Sequence, residues 1–298
     1  MKPSVPNRVA GAAAAVALAT VSAAAASEDE AVARGAYLFR AANCLGCHTD
    51  RAAKGAPLAG GRALRTPFGT FYSPNITPDR ETGIGAWGED DFRRAMTHGL
   101  SPTGAPYYPV FPYPSFTRMT DADVADLWAF LRTVPAVRQN NKVHRLDPPF
   151  GWRPGLRIWR SLYFDPGPAE PPPQGSKEWR RGRYLVAALG HCGECHTPRG
   201  RLGNPLPEME LAGSADGAEG KPVPNITPDV ATGIGDWSAR DIAFYLETGF
   251  RPDGDVAGGI MAEIIETSTS HLTAADRAAI AVYLKGLASV EHKVKPPS

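Results

Sequence analysis

The chain has 298 residues, with 32 Lys and Arg against 31 Asp and Glu for a formal net charge of +1. That length can bury one large core or two ordinary ones. The balanced charge, with no Lys/Arg cluster to meet a phosphate backbone, argues against a nucleic-acid binder.

Residues 1–26 read as a secretory signal. Lys2 and Arg8 give a positive start, "VAGAAAAVALATV" (Val9 to Val21) is an apolar run, and "AAAAS" offers small residues for cleavage after Ala26. The run is 13 residues long, short of the roughly 20 that a membrane span needs. No later apolar stretch is long enough, so membrane attachment is expected to be peripheral if there is any. Removing Lys2 and Arg8 from the 32 leaves 30 basic residues against 31 acidic, a balance of −1.

Past the leader, one pattern occurs twice. "RGAYL" (Arg34 to Leu38) returns as "RGRYL" (Arg181 to Leu185), and "NITPDRETGIGAW" (Asn75 to Trp87) as "NITPDVATGIGDW" (Asn225 to Trp237). "MTDADVADLWAFL" (Met119 to Leu131) is answered by "LTAADRAAIAVYL" (Leu272 to Leu284). Each copy opens with a helix that runs to a pair of cysteines. A second helix follows the tryptophan and stops at Gly99 or Gly249. A third starts at Thr120 or Thr273, whose hydroxyl caps the free amides, with Asp123 or Asp276 at N3. Tyr37 and Tyr184 are expected to pack the first helix on the last of the same copy, opposite Phe130 and Tyr283, with Gly35 and Gly182 permitting close approach. Between the copies, "GLRIWRSLYF" (Gly155 to Phe164) predicts an amphipathic helix packed on a domain. "DPGPAEPPPQGS" (Asp165 to Ser176) is too proline-rich for helix or central strand and reads as a semi-rigid tether.

The four cysteines stand in "CLGCH" (Cys44 to His48) and "CGECH" (Cys192 to His196). C-x-x-C-H is the spacing of c-type haem attachment: Cys44 and Cys47, or Cys192 and Cys195, bond the two vinyl groups, and His48 or His196 reaches the iron. Two covalently attached haem c groups are therefore expected. A zinc site would need further ligands at regular spacing, and a redox dithiol does not need the following histidine twice.

The sixth iron position decides the chemistry, since a thioether closes the site for electron transfer while an open site suits small-molecule chemistry. In the second copy Met261, in the loop before the last helix, is the expected ligand. That order, attachment motif first and methionine later, is the order of class I cytochromes c. In the first copy the matching position is Phe111, which has no lone pair. Met119, His98 and Met96 are the substitutes in reach, with an open iron as the remaining possibility. Asn75 with Trp87, and Asn225 with Trp237, either donate to haem propionates or pin loops and fill core; Arg199 is a candidate to neutralise a propionate.

Taken together, "RGAYL", the C-x-x-C-H pairs, "NITPDRETGIGAW", "FPYPSFT" and "WRRGRYLVAALGHCGECHTPRGRLG" resemble the multihaem cytochrome c subunits of bacterial periplasmic alcohol, gluconate and related sugar or aldehyde dehydrogenases. The resemblance implies a mostly α fold of two tandem class I cytochrome c domains, 27–134 and 177–290, with a Pro-rich linker and short helix over 135–176 and a tail over 291–298. It implies a periplasmic electron carrier served by a separate catalytic dehydrogenase subunit and passing electrons to an oxidase, a soluble cytochrome or a quinone-linked complex. It implies Cys44, Cys47, Cys192 and Cys195 as attachment residues, His48 and His196 as proximal ligands and Met261 as a distal one. The chain departs from the family in having two attachment motifs where many members have three, and in Phe111, where members commonly read Met-Pro-Tyr. Phe111 keeps alive a dihaem redox enzyme of peroxidase or thiosulfate-oxidising type, or a haem-based sensor.

Overall fold

The computed structural model describes residues 27–167 and 175–295; the leader, most of the proline tether and the last three residues lie outside them. In the first copy, α1 (27–41) leads into α2 (Cys44–His48). A hairpin of β1 (Ala63–Thr66) and β2 (Gly69–Tyr72) follows, then α3 (Glu89–His98), α4 (Tyr113–Phe116) and α5 (Asp121–Leu131). β3 (Arg145–Leu146) returns to pair antiparallel with β2, placing Leu146 opposite Gly69. α6 (Pro154–Tyr163) bridges to the second copy. There α7 (Lys177–Tyr184) continues into one π turn over 185–189, a break at Gly190 and His191 precedes α8 (Gly193–His196), and α9 (Ala239–Thr248), α10 (Gly259–Thr267) and α11 (Ala274–Lys285) follow. Among the described residues no helix is long and apolar enough to cross a membrane.

Local chemistry sets the helix ends. Thr120 and Thr273 accept the amides of Asp123 and Asp276, each at 3.1 Å. At the starts of α3 and α9, Asp91 and Asp241 reach back to the amides of Gly88 and Ser238. Gly99 and Gly249 end the same helices in the left-handed region, φ 58° and 80°, where an L side chain is strained.

The first and last helices of each copy cross at a glycine. A Cβ on Gly35 would stand 1.9 Å from the Asp126 carbonyl oxygen, and one on Gly182 the same 1.9 Å from that of Ala279. The tyrosines two residues on depart from the expectation. Two helical residues are about 200° apart around the axis, so a tyrosine at that spacing faces away from the helix its glycine touches. Tyr37 donates to Asp276 at 2.5 Å and accepts the Thr273 amide at 3.2 Å. Tyr184 donates to Asp123 and accepts the Thr120 amide at 3.2 Å. Each first helix therefore packs on the last helix of its own copy and caps the last helix of the other. Leu127 and Leu131 share one buried cluster with Leu189, Ile280 and Leu284, so the two copies have a common core.

Gly182→Ala is expected to destabilise by about 1–3 kcal/mol, the usual cost of overpacking, seen as a lower urea midpoint. Asp276 gives a pH signature. Burial pushes its carboxyl up, but the Arg181 guanidinium and the Tyr37 hydroxyl pull it further down, and the net effect lies below the usual carboxylate range. A carboxylate depressed on folding adds stability above its unfolded value, about 3.9, and loses it as pH falls through the folded one. Wild type should accordingly lose more stability than Asp276→Asn on acidification from pH 6 to pH 3; parallel urea-denaturation profiles would refute this.

Candidate haem attachment sites

Each attachment motif is a single helical turn entered through a left-handed residue, Asn43 (φ 51°) or His191 (φ 38°). Cysteines three apart followed by histidine share one face of such a turn. His48 Nδ1 lies 2.8 Å from the Pro74 carbonyl, and His196 Nδ1 lies 2.8 Å from the Pro224 carbonyl. A carbonyl only accepts, so each Nδ1 carries the hydrogen and each Nε2 keeps its lone pair for a metal.

The repeated Asn-Ile-Thr-Pro stretch holds those carbonyls still. Asn75 Nδ2 donates to Thr82 Oγ1 at 3.1 Å and to the Val137 carbonyl at 2.7 Å, while its Oδ1 accepts the Thr77 amide at 2.9 Å. Asn225 repeats this with Thr232 at 3.0 Å, Val290 at 2.8 Å and Thr227 at 2.9 Å. The structure thus resolves the two readings of these asparagines in favour of loop pinning, since their amide hydrogens are committed to protein.

The residues fit a covalently bound haem. The four cysteines are unbridged and partly exposed. Desolvation pushes the Cys44 and Cys192 thiols up to about 12, opposite to the lowered thiol of a redox dithiol. Among the described residues no cluster of three His, Cys, Asp or Glu could hold a metal ion. Ile76 and Trp87 in one copy, Ile226 and Trp237 in the other, pack on the core yet stay partly exposed. They are apolar walls suited to a flat apolar ring.

The candidate distal residues are spread out. Met261 lies in the first turn of α10 rather than in a loop, partly exposed against the core. Phe111 fills the matching place and packs on the Tyr107, Tyr113 and Phe116 rings at 5.9, 6.3 and 5.9 Å. Met119, 3% exposed, and Met96, 5%, are in the common core. His98 is exposed at the end of α3, its Nδ1 bonded to Thr97 Oγ1 at 2.8 Å. Arg199 ion-pairs with Glu194 and donates to the Gly203 carbonyl at 2.7 Å, so its charge is used within the protein.

Sequence reasoning passed over Arg62. Its Nη1 donates to the Gly46 carbonyl, inside "CLGCH", at 2.6 Å, and the same guanidinium is paired with Glu263 on the helix of Met261. Thr267 at the end of that helix donates to Asn43 at 2.7 Å. In the other direction Ser115 donates to Glu194, inside "CGECH", at 2.9 Å, and Phe116 meets the His191 ring at 5.4 Å. Both attachment motifs therefore lie against the other copy. Nothing local marks Arg62, because its partners lie 16 and 201 residues away.

Asn225→Leu should leave the buried Thr227 amide without its acceptor, at about 1–3 kcal/mol for a buried group left unpaired, measurable as a lower urea midpoint.

The cytochrome c family profile matches residues 32–135. A "Diheme cytochrome c-type" protein of Cereibacter sphaeroides is 45% identical over 266 residues, covering 87% of this chain and 86% of its own length. The gluconate 2-dehydrogenase cytochrome c subunit of Pantoea cypripedii is 41% identical and the fructose dehydrogenase cytochrome subunit of Gluconobacter japonicus 40%, over 92% and 90% of this chain. The chain spans 64% and 57% of the length of those two subunits. With the attachment motifs, oriented histidines and these relatives in agreement, the chain belongs to the cytochrome c family.

Proposed function

We propose that the chain is a periplasmic dihaem electron carrier of two tandem class I domains, taking electrons from a catalytic dehydrogenase subunit and passing them to an oxidase, soluble cytochrome or quinone-linked complex. The observation that carries this reading is the duplicated site: each histidine turned by a proline carbonyl, each motif packed against the other copy. The relatives that are dehydrogenase cytochrome subunits support the partner. Haem bound at these sites supplies a one-electron iron couple. Cys44, Cys47, Cys192 and Cys195 would form the thioethers, and His48 and His196 would present Nε2 to the irons. Met261 is the proposed sixth ligand in the second copy and Met119 in the first. Trp87, Trp237 and the isoleucines exclude water, and exclusion of water tunes a haem potential. The Arg62 bridge fixes the first attachment motif against the Met261 helix, which suits transfer between two centres that do not move apart.

Phe111 favours a second reading, in which the first iron is open and the protein acts on a small molecule as a peroxidase, thiosulfate oxidant or sensor. The oxidised protein separates the two. An electron carrier shows two low-spin, six-coordinate haems and loses one methionine-to-iron absorption band in Met261→Leu and another in Met119→Leu. High-spin iron that binds carbon monoxide or cyanide at one haem would transfer the assignment to the second reading. A protein that carries no covalently added haem mass would sink both.

A further inference from the structure

α6 does not hide its apolar side. Leu156 is buried, but Ile158 is 57% and Leu162 64% exposed, and they stand one turn apart on an outward strip. Trp152, just before the helix, is 62% exposed, and its ring lies beside Gly155. Leu202, from the loop after "CGECH", is 53% exposed. The Trp159 indole donates to the Leu202 carbonyl at 2.8 Å, so the helix and the loop form one surface. Gly203 seats this loop on Phe68, where a Cβ would lie 2.9 Å from the ring, and Phe68 meets Phe150 edge-on at 4.6 Å. Single exposed apolar residues are ordinary, whereas a joined group of large ones rimmed by polar residues marks an interface.

Arginine dominates the patch: residues 148–164 and 198–207 carry five arginines and no acid, with the exposed Asp147, Asp165 and Glu208 at their borders, in a chain whose overall balance is only +1. Arg153, Arg157 and Arg201 are exposed. Asp165, which flanks the patch, is paired with Arg118. A short run of bonds also ties the patch to the second attachment motif: Arg199 holds the Gly203 carbonyl and the Glu194 carboxylate, between Cys192 and Cys195. An apolar centre with an arginine-rich rim is the composition of a protein interface, and a predominantly positive rim steers an oppositely charged partner. A bilayer would instead call for the main apolar side of the helix, and here Leu156 and Trp159 are turned inward.

On the electron-carrier reading above, we propose that α6 and the loop 200–206 are the docking face for a redox partner protein whose contact surface has an acidic rim and an apolar centre, exchanging electrons at the second attachment motif.

The probe is a gold electrode coated with a mixed carboxylate- and methyl-terminated monolayer, on which the full-length holoprotein is studied by voltammetry. Arg157→Glu/Arg201→Glu and Ile158→Ser/Leu162→Ser should each slow interfacial electron transfer at least tenfold, with unchanged solution potentials and absorption spectra. Added salt should slow the wild type and leave the charge-reversed variant nearly unaffected. Arg80→Glu, an exposed charge outside the patch, should behave as wild type. Equal rates for wild type and both double variants, or an equal loss in Arg80→Glu, overturn the docking face. So does sedimentation with phosphatidylglycerol vesicles that Ile158→Ser/Leu162→Ser abolishes, because that outcome assigns the face to a bilayer. Absence of faradaic current from every variant and from wild type overturns the carrier reading itself.

Discussion

A hydrogen bond from the imidazole of each C-x-x-C-H motif to a proline carbonyl organises the molecule. It decides which ring nitrogen keeps a lone pair, and its direction comes from a loop rather than from the helical turn that bears the histidine. The loop in turn owes its rigidity to one buried asparagine that donates to both a threonine hydroxyl and a distant carbonyl. A freely rotating histidine would hold its metal with neither fixed tautomer nor fixed ring plane. The Asn-Ile-Thr-Pro repeat, far from the cysteines in sequence, is therefore part of the candidate attachment site.

The relation between the copies rests on a second economy of contacts. A glycine on one face of the first helix lets it sink onto its own last helix, and a tyrosine on the opposite face closes the cap of the other one. The exchange is reciprocal, Tyr37 with Asp276 and Tyr184 with Asp123, so the copies are locked at two places. Ser115 then reaches across to Glu194 in the opposing C-x-x-C-H turn, while Arg62 holds the Gly46 carbonyl of its own copy's turn and pairs with Glu263 of the other copy. Such contacts make a common core and a fixed spacing between the two C-x-x-C-H motifs.

The duplication, the capped starts of α5 and α11, the glycine stops of α3 and α9 and the glycine crossings were all legible, because each depends on residues within a few positions of one another or on a repeat. The hairpin with its β3 return was not: its third strand is two residues long and pairs across more than 70 positions. Met261 was placed in a loop before the last helix, yet Gly258 caps α10 and Gly259 takes a positive φ of 54° at its first residue. The pairing of Arg199 was not read from the sequence, although its partner Glu194 lies inside the second C-x-x-C-H motif.

By itself the sequence determined that two C-x-x-C-H motifs occur in repeated surroundings and that these surroundings are helical, because cysteine–histidine chemistry and helix capping act over a handful of residues. Only the tertiary structure decided which nitrogen each histidine offers, which copy each tyrosine serves, and that the exposed side of α6 joins the loop after "CGECH" in one arginine-rimmed surface. Those outcomes depend on groups brought together from 26 to 239 residues apart, and no local pattern encodes a distance of that kind.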